Sequence, residues 1–474
     1  MMSYNSKRSR SFYFASPFFI KNIFSSCYGM LQRRERYGNH FREALRVLQR
    51  SQFWSTDQLE IYSWDRARKF IASAFTQTPY YRCAHNHLCP SHPWDMPAIP
   101  VLTKEMVRNH LKEFYAGDLK RMPHRWAHTS GTTGTSLVFP LRQECFQREY
   151  AFRALHYSWG GVHFAERDRI ALCAGHPVAF YDRATPPFWV HDVANNWMLL
   201  SSYHLTGENL RHYVAALEKF QPLMIGGYPS SVYLLALAYK KYGRGALRLR
   251  SVFTASETLF DHQRQTLEAA FETKVFNWYG NSEMCANIVE CEHGELHLKH
   301  EHSYVEILND DGVPCQPGET GRLVCTGFGN TAFPLVRYEV GDVVTLSKNQ
   351  NAKCGRGGRV IDEVVGRVED YVLTPDGRFV GRLDHLFKDS RRVVEAQIVQ
   401  HQIDEVILRI VKDDKYNSSD EYAIGEEARL RLGAAVSLRF EYVDRLPRTK
   451  SGKTRFIESS LNQRQALADM MEHT

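Results

Sequence analysis

The chain has 474 residues, of which 43% are apolar and 12% aromatic, enough to fill a large core. This length predicts roughly two or three domains. The 60 basic and 53 acidic residues give a net charge of +7, which suits an anionic ligand without predicting nucleic acid as a partner. The ten cysteines follow no regular framework, which is typical of reduced thiols in a cytoplasmic protein.

The N-terminal segment is basic and aromatic. Residues 6–24, SKRSRSFYFASPFFIKNIF, precede the first acid of the chain, Glu35, a pattern of targeting or membrane-touching segments. Its apolar stretch from Phe12 to Ile20 is too short to span a bilayer, and no later stretch predicts a transmembrane segment. We favour a segment that packs on the protein body and keep membrane contact as the alternative.

The first part of the chain has mostly helical patterns. Apolar residues recur at helical spacing in 57–75, and Ser55 can cap that helix. Thr103 can cap a second helix over 104–117. We therefore predict residues 1–125 to be the helical N-terminal part of a large domain.

A loop rich in hydroxyls and glycine follows in WAHTSGTTGTSLVFP, residues 126–140. Gly131 and Gly134 let the loop curl and expose its N–H groups, and such a concave run of N–H groups binds phosphate. The further donors are the hydroxyls of Thr129, Ser130, Thr132 and Thr133. The loop is not a Walker-type loop, because no Gly-Lys-Ser/Thr follows at the required spacing; a hairpin turn is the alternative.

Strand-like and helix-like segments then alternate as far as about residue 295. The strand-like segments are RIALCAG, PLMIGG, LRSVFTAS and KVFNWYG, and their alternation with helices predicts an α/β domain with a largely parallel sheet. Short strands punctuated by glycine then predict a strand-rich subdomain. We assign 126–366 to the nucleotide- and acyl-binding remainder of the large domain and 367–474 to a small, mobile α+β C-terminal domain.

The stretch NWYGNSEM, residues 277–284, ends a predicted strand. It places Tyr279, Gly280 and Glu283 at a strand's carboxyl end, where α/β sheets bind ligands. The aromatic ring can stack on a base, and the carboxylate can hold Mg²⁺ beside phosphates. An ordinary strand end is the alternative.

Three later stretches carry further candidate residues. VRYEVGDVV offers Asp342 in a Gly-Asp turn, suited to accept hydrogen bonds from ribose hydroxyls. GRVED offers Arg367 and Asp370 at the predicted domain boundary. LPRTKSGKTRF is a basic loop near the C-terminus whose Lys453 is suited to contact phosphate. A simple turn and a solvated tail are the alternatives for the first and last of these.

In this order, the motifs TSGTTG, YGNSE, RYEVGD, GRVED and PRTKSGK resemble the core motifs of the adenylate-forming (ANL) superfamily. That superfamily comprises acyl-CoA synthetases, adenylation domains of peptide synthetases and luciferases, and the matches span residues 129–455. IPVLTKEMV, SVFTASETL and VEAQIVQHQIDE are similar to the phenylacetate–CoA ligase branch. Within it, the chain resembles members linked to capsular polysaccharide biosynthesis and coenzyme-adenylylating synthetases.

The resemblance implies an AMP-forming acid–thiol ligase. ATP would bind with Mg²⁺, a substrate carboxylate would attack the α-phosphate, and pyrophosphate would leave an acyl-adenylate. The small domain would then rotate, and a thiol, usually that of CoA, would displace AMP. Lys453 would stabilise charge in the adenylation transition state and leave on rotation of the small domain.

The resemblance also implies roles for single residues. Glu283 would ligate Mg²⁺, and Tyr279 would pack on adenine with Ser256 and Glu257 nearby. Asp342 and Arg367 would contact ribose. The remaining implied nucleotide-binding residues are Thr129, Ser130, Gly131, Thr132, Thr133, Gly134, Gly280 and Ser282. Asp370 or its neighbour would be the hinge.

Some members of the branch carry zinc in the strand-rich subdomain. Here Cys291, His297 and Cys354 occupy similar positions, whereas Ala352 stands where a further cysteine is expected. Structural zinc takes four ligands, and His293 or His300 is a candidate to complete the set. A site that has lost its metal is the alternative.

Departures from the family pattern leave the acceptor open. Thr135–Ser136, Glu339–Val340 and the stretch after the hinge differ from the usual residues, so an amine, a carrier protein or a sugar is an alternative to CoA. A non-catalytic nucleotide-binding scaffold is a third hypothesis. The acid is a small molecule of unknown identity, and a homodimer is expected only by analogy. The aromatic residues that can line an aryl pocket are Trp189, Trp197, Tyr228 and Tyr233.

Overall fold

The computed structural model describes most of the chain. The described residues are 12–84, 89–128, 137–163, 166–176, 178–180, 183–205, 207–257, 259, 261–365, 372–380, 383–387, 392–444, 446–447 and 456–461. The phosphate-binding candidates 129–134 and three further candidates, Arg367, Asp370 and Lys453, lie outside these ranges.

Helices dominate the first 120 residues and then alternate with strands. The helices are α1 (residues 12–15), α2 (Phe18–Arg36), α3 (Asn39–Ser51), α4 (Thr56–Gln77), α5 (Pro79–Ala84), α6 (Lys104–Asn109), α7 (Gln143–Trp159), α8 (Leu210–Phe220), α9 (Pro229–Tyr242), α10 (Asp261–Phe271) and α11 (Ser418–Leu432). Within the described ranges, every helix falls short of the length and apolar character needed to cross a bilayer.

The strands occupy three regions of the chain. The first region contains β1 (His124–His128) and β2 (Val138–Arg142). The second contains β3 (Ile170–Ala174), β4 (Trp189–Asp192), β5 (Trp197–Ser201), β6 (Met224–Gly227), β7 (Ser251–Ala255), β8 (Val275–Gly280), β9 (Asn287–Glu290), β10 (Leu296–Leu298), β11 (Ser303–Leu308), β12 (Thr320–Gly327), β13 (Tyr338–Leu346) and β14 (Val360–Val365). The third contains β15 (Val372–Leu373), β16 (Phe379–Val380), β17 (Val393–Gln402), β18 (Glu405–Lys412), β19 (Ser437–Tyr442) and β20 (Ile457–Ser459).

The predicted helix starts agree with the structure. Ser55 caps α4: its hydroxyl accepts from the Gln58 N–H at 3.2 Å, and the Gln58 side chain accepts from the Ser55 N–H at 3.0 Å. Thr103 caps α6 in the same way, accepting from the Met106 N–H. That helix ends at Asn109, short of the predicted end at 117, and continues as a 3₁₀ turn that buries Phe114.

A mixed sheet forms the centre of the large part of the molecule, in the order β11-β12-β13-β14-β10-β9-β8-β7-β6-β3-β5-β4. Strands β5, β3, β6, β7 and β8 are parallel, which confirms the predicted parallel sheet. The strand-rich stretch after β8 continues the same sheet, because β9 pairs antiparallel with β8. The carboxyl ends of β7 and β8 thereby lie beside the antiparallel half.

The C-terminal part has its own sheet and core. Its strands are ordered β19-β18-β17-β20. Buried apolar residues of α11 and of the strands belong to one hydrophobic cluster. The separate α+β unit that the sequence predicted is therefore present. The exact boundary at 366/367 falls outside the described residues and stays a prediction.

Candidate active site

The carboxyl end of β7 carries the first two candidates, Ser256 and Glu257. Ser256 has a φ of 74°, a left-handed conformation that is strained for a residue with a side chain. The Glu257 carboxylate accepts from the N–H and the hydroxyl of Ser230, at 3.1 and 2.8 Å. Because Ser230 lies in the first turn of α9, Glu257 ties this loop to a helix N-terminus, where a negative charge is stabilised.

Two candidates that are 63 residues apart in sequence meet at the end of β8. The Tyr279 hydroxyl donates to the Asp342 carboxylate at 2.7 Å. Asp342 reaches this position from β13, just after Gly341, which has a φ of 86°. The aromatic ring expected beneath adenine and the carboxylate expected beside ribose are therefore held together before any ligand binds.

The residues after Tyr279 approach neighbouring groups closely. A Cβ atom on Gly280 would lie 2.7 Å from the Trp278 indole nitrogen and 2.8 Å from the Asn287 amide oxygen, so only glycine fits without a shift. Glu283 is buried, and its carboxylate accepts from the Tyr338 hydroxyl at 3.1 Å. A carboxylate held in this way is a suitable ligand for Mg²⁺.

All of the described nucleotide-binding candidates line one cavity of about 1860 Å³. We call their side of it the strand-end wall, which consists of Ser256, Glu257, Tyr279, Gly280, Ser282, Glu283 and Asp342. The volume exceeds the ~300–1,000 Å³ typical of a site for one small ligand. It therefore has room for a nucleotide and a second substrate together.

Two helices line the same cavity from another side. We call this side the helical wall, which consists of Gln32, Arg36, Glu149, Tyr150, Arg153 and Tyr157 from α2 and α7. The cavity lining also includes alternate residues of the parallel strands, among them Ile170, Leu172 and Ala174 of β3 and Trp197 and Leu199 of β5. These belong to one face of the sheet, because strand side chains alternate between faces.

Arg36 brings a buried positive charge to the helical wall. It is only 6% exposed, and its guanidinium carbon lies 4.5 Å from the Tyr150 ring centre and 5.4 Å from that of Trp197. One guanidinium nitrogen donates to the Gln32 side chain, whereas Nε and Nη1 make no hydrogen bond within the described part of the chain. Burial raises the pKa of the Asp192 carboxyl, and the charge of Arg36 opposes that rise; Asp192 lines the same cavity but makes no direct ion pair with Arg36 among the described contacts. Burial of the guanidinium is costly, and these interactions offset part of that cost.

Arg153 supplies a second cation and differs from Arg36 in its partner. Its side chain is 43% exposed, and Nε lies 3.5 Å from the Glu149 carboxylate. Burial opposes ionisation of Glu149, but a hydrogen bond from His302, the charge of Arg153 and a hydrogen bond from Asn287 outweigh it and lower its pKa to about 2. Glu149 is thus shared among three groups, and the Arg153 guanidinium still faces the cavity.

Sequence reasoning missed most of the helical wall. Arg36 and Arg153 belong to no motif, and only the tertiary contacts bring them to one cavity. Of the four aromatic residues considered for an aryl pocket, Trp197 and Tyr228 line the cavity. Trp189 and Tyr233 are not among its described lining residues; Trp189 packs against a different core cluster.

The three predicted metal ligands also come together. The donor atoms of Cys291, Glu295, His297 and Cys354 all lie within 4.8 Å of one another. Cys291 follows β9, His297 lies in β10, and Cys354 comes from the loop before β14. The Cys354 sulfur is 3.3 Å from His297 Nε2. The fourth candidate donor in this cluster is Glu295, whereas His300 Nε2 accepts from the Arg359 N–H.

The donor set fits zinc in number and chemistry. A tetrahedral zinc site with bond lengths of 2.0–2.3 Å separates its ligand atoms by roughly 3.6 Å, close to the separations in this cluster. Burial, with the charges of Lys299 and Arg356, lowers the pKa of His297 to about 4, so the imidazole is neutral at pH 7. Burial raises the pKa of Cys291 to about 12, so metal binding would displace its proton.

Comparison with known proteins begins with the fold. The crystal structure of 2-hydroxyisobutyryl-CoA ligase with 2-HIB-AMP and CoA, in the thioesterification state, matches with a TM-score of 0.55 and 17% identity, covering 90% of this chain and 94% of that one. The same ligase in the postadenylation state, with R3-HIB-AMP, matches with a TM-score of 0.53 and 16% identity over the same shares of the two chains. The architecture is that of the adenylate-forming enzymes.

Proteins of similar sequence provide a second comparison. The family described as the CapK C-terminal domain matches residues 372–460. Protein CapK of Staphylococcus aureus is 26% identical over 459 residues, covering 94% of this chain and 98% of that protein. Phenylacetate-coenzyme A ligases of Thermus thermophilus and Escherichia coli are each 25% identical over 67% of this chain, covering 72% and 73% of their own lengths. The chain is therefore similar in sequence to CapK over nearly its whole length and to the phenylacetate-coenzyme A ligases over two thirds of it.

Proposed function

We propose that this protein activates a carboxylic acid with ATP as an acyl-adenylate and transfers the acyl group to the thiol of CoA. One observation carries the proposal: the Tyr279–Asp342 pair and Glu283 line a single cavity large enough for a nucleotide and an acid. Relatives named as phenylacetate-coenzyme A ligases support the same reaction.

Each residue of the strand-end wall has a defined task in this proposal. Tyr279 packs on adenine while its hydroxyl orients Asp342 to accept from ribose. Glu283 holds Mg²⁺, which would neutralise charge on the phosphates. The loop Thr129–Gly134 donates to the β- and γ-phosphates, and Arg367 contacts ribose. Lys453 stabilises the charge that develops as the acid attacks the α-phosphate, a contribution of about 3 kcal/mol by analogy with oxyanion donors.

The helical wall indicates the class of acid. The reacting carboxylate must lie beside the α-phosphate, near the strand-end wall. Arg36, two of whose guanidinium nitrogens make no hydrogen bond within the described part of the chain, can then bind a second anionic group, with Arg153 nearby. Tyr150 and Trp197 offer aromatic surface beside Arg36. We therefore propose an acid with a second carboxylate or another anionic substituent, because arginine pairs with such groups through two parallel hydrogen bonds.

A Zn²⁺ held by Cys291, Glu295, His297 and Cys354 is part of the same proposal, as a structural ion. It would fasten the β9–β10 hairpin to the loop before β14. The nucleotide chemistry is independent of it.

ATP and CoA as co-substrates place the proposed reaction in the cytoplasm, and the CapK relative motivates a role in capsular polysaccharide biosynthesis. A homodimer stays a prediction. The second candidate function is transfer to a non-CoA acceptor, which the altered sequence after the hinge favours.

Pyrophosphate–ATP exchange tests adenylation without knowledge of the acceptor. We would measure it against pairs of acids that differ only in a second anionic group, with Lys453→Ala as the control. Exchange with one acid that is lost in the variant would support adenylation. AMP release with and without CoA then decides the acceptor: release that is rapid with an amine and independent of CoA would overturn the ligase assignment. ATP binding without exchange for any acid would favour the non-catalytic scaffold.

A further inference from the structure

Helix α2 packs on the protein with its polar face. Lys21, Gly29 and Arg36 are buried. The Lys21 ammonium donates to the Val178 carbonyl at 3.2 Å, and the Asn22 side chain accepts from the His191 N–H at 2.9 Å. This arrangement is the reverse of an ordinary surface helix, which buries its apolar stripe.

The apolar residues of α2 point outward. Phe19 is 65% exposed, Ile23 57%, Met30 54% and Leu31 56%, and the Cys27 thiol between them is exposed as well. Their spacing places them on one side of the helix. The stripe from Phe19 to Leu31 is about 18 Å long, at 1.5 Å per residue. Contiguous exposed apolar surface of this kind marks an interaction site.

The charge around the stripe identifies what covers it. Besides Lys21, which is buried on the inward face, the first 34 residues contain five basic residues, Lys7, Arg8, Arg10, Arg33 and Arg34, and no acid before Glu35. Arg34 is exposed and continues the outward face of α2. A symmetric pair of chains joined through this face would bring these cations against their own copies. An anionic lipid surface instead offers both an apolar layer and negative charge.

We propose that the outward face of α2 binds the surface of an anionic membrane, with the apolar stripe lying in the interfacial layer and Arg34 at the lipid headgroups. The helix lies on the bilayer and does not cross it. The polar face of the same helix supplies Gln32 and Arg36 to the cavity, so membrane contact would hold the active-site cavity beside the bilayer. The proposal is independent of the reaction proposed above.

Co-sedimentation of the full chain with vesicles tests this. We expect binding to vesicles of equimolar phosphatidylglycerol and phosphatidylcholine, weaker binding to phosphatidylcholine alone, and weakening by salt. Ile23→Ser with Leu31→Ser should reduce binding more than about tenfold, because apolar area is removed from the contact. The matched control is Ile61→Ser with Val313→Ser, which changes two exposed apolar residues elsewhere and should leave binding unchanged.

Three results would overturn the proposal. These are no sedimentation of the unmodified chain with anionic vesicles, equal sedimentation of the α2 variant, and a concentration-dependent dimer that the α2 variant abolishes, since the face would then be covered by a second copy. An environment-sensitive label on Cys27, with exposed Cys83 and Cys89 replaced by serine, gives a second readout. Its emission should shift to the blue on adding anionic vesicles, and an unchanged spectrum would also overturn the proposal.

Discussion

The strand-end wall and the helical wall enclose one cavity but are built in different ways. Most of the strand-end wall comes from two short stretches, one just after β7 and one that spans the end of β8, and β13 adds Asp342. The helical wall takes isolated residues from α2 and α7, such as Arg36 and Tyr150, which are over 100 positions apart. The comparison indicates that the strand-end wall, where the nucleotide is proposed to bind, depends on local backbone geometry. The helical wall, where the acid is proposed to bind, depends instead on how helices pack.

The largest expected loss of activity comes from a substitution at Glu283 in the strand-end wall. Glu283→Gln keeps the shape and the contact with the Tyr338 hydroxyl but removes the negative charge. We expect pyrophosphate–ATP exchange to fall about a hundredfold or more, or about 3 kcal/mol in the barrier, since the proposed Mg²⁺ ligand is lost. Tyr338→Phe is the control, with a small loss. Full activity in Glu283→Gln would exclude this residue from the chemistry.

A substitution in the cluster of Cys291, Glu295, His297 and Cys354 should lower the stability of the protein. It should leave both walls of the cavity unchanged. In Cys354→Ala three donors remain, too few for a structural zinc site, so bound zinc should disappear and the free energy of unfolding should drop by at least about 2 kcal/mol. Elemental analysis and denaturant unfolding measure both effects. Cys83→Ala, at an exposed cysteine, should change neither. Equal zinc content in the two variants would contradict the assignment.

Arg36→Gln tests the helical wall alone. We expect KM for an acid with a second anionic group to rise about tenfold to a hundredfold, while KM for ATP and activity on the uncharged analogue stay close to normal. Steady-state kinetics on such a pair of acids separates these outcomes. The matched control is Arg34→Gln, an exposed arginine on the same helix. An equal loss on both acids would mean that Arg36 only supports the fold.

A substitution at Tyr279 should have a smaller effect, and it tests the hydrogen bond between Tyr279 and Asp342 in the strand-end wall. Tyr279→Phe keeps the ring for stacking and removes the 2.7 Å hydrogen bond to Asp342. One such bond contributes about 1 kcal/mol, so KM for ATP should rise about fivefold with acid preference unchanged. Isothermal titration with ATP measures this directly. A change in acid preference would show that the two walls are coupled.

The pH dependence of stability near Arg36 should change only at acidic pH, away from the conditions of the activity assays. Burial, together with the charge of Arg36, lowers the pKa of His176 to about 4 from its usual 6.5. Because the folded state disfavours the protonated form, this contribution to stability is present above pH 6.5 and is lost as the pH falls toward 4. Urea unfolding at several pH values should show a shallower decline in His176→Gln. Identical pH profiles for the two proteins would refute the shift.

Much of the fold could be predicted from the sequence. The alternation of strand-like and helix-like segments correctly predicted the parallel strands β3, β6, β7 and β8, because each segment's pattern reflects its own burial. The sequence patterns did not identify β5, which pairs parallel with β3. The helix caps at Ser55 and Thr103 were also predictable, because each cap involves residues only three positions apart in sequence. The single sheet that joins both strand types was not predictable, since the pairing of β8 with β9 depends on how the chain turns after Gly280.

The sequence by itself determined which residues are candidates for nucleotide chemistry, since glycines, hydroxyls and carboxylates in short stretches set local backbone shape and charge. Only the tertiary structure decided which residues lie next to these candidates. It paired Tyr279 with Asp342, brought Glu295 beside Cys291, His297 and Cys354, and placed Arg36 in the cavity. It also turned the apolar face of α2 outward. These outcomes depend on packing between distant segments, where the free energy of burying each group depends on neighbours that a local pattern does not contain.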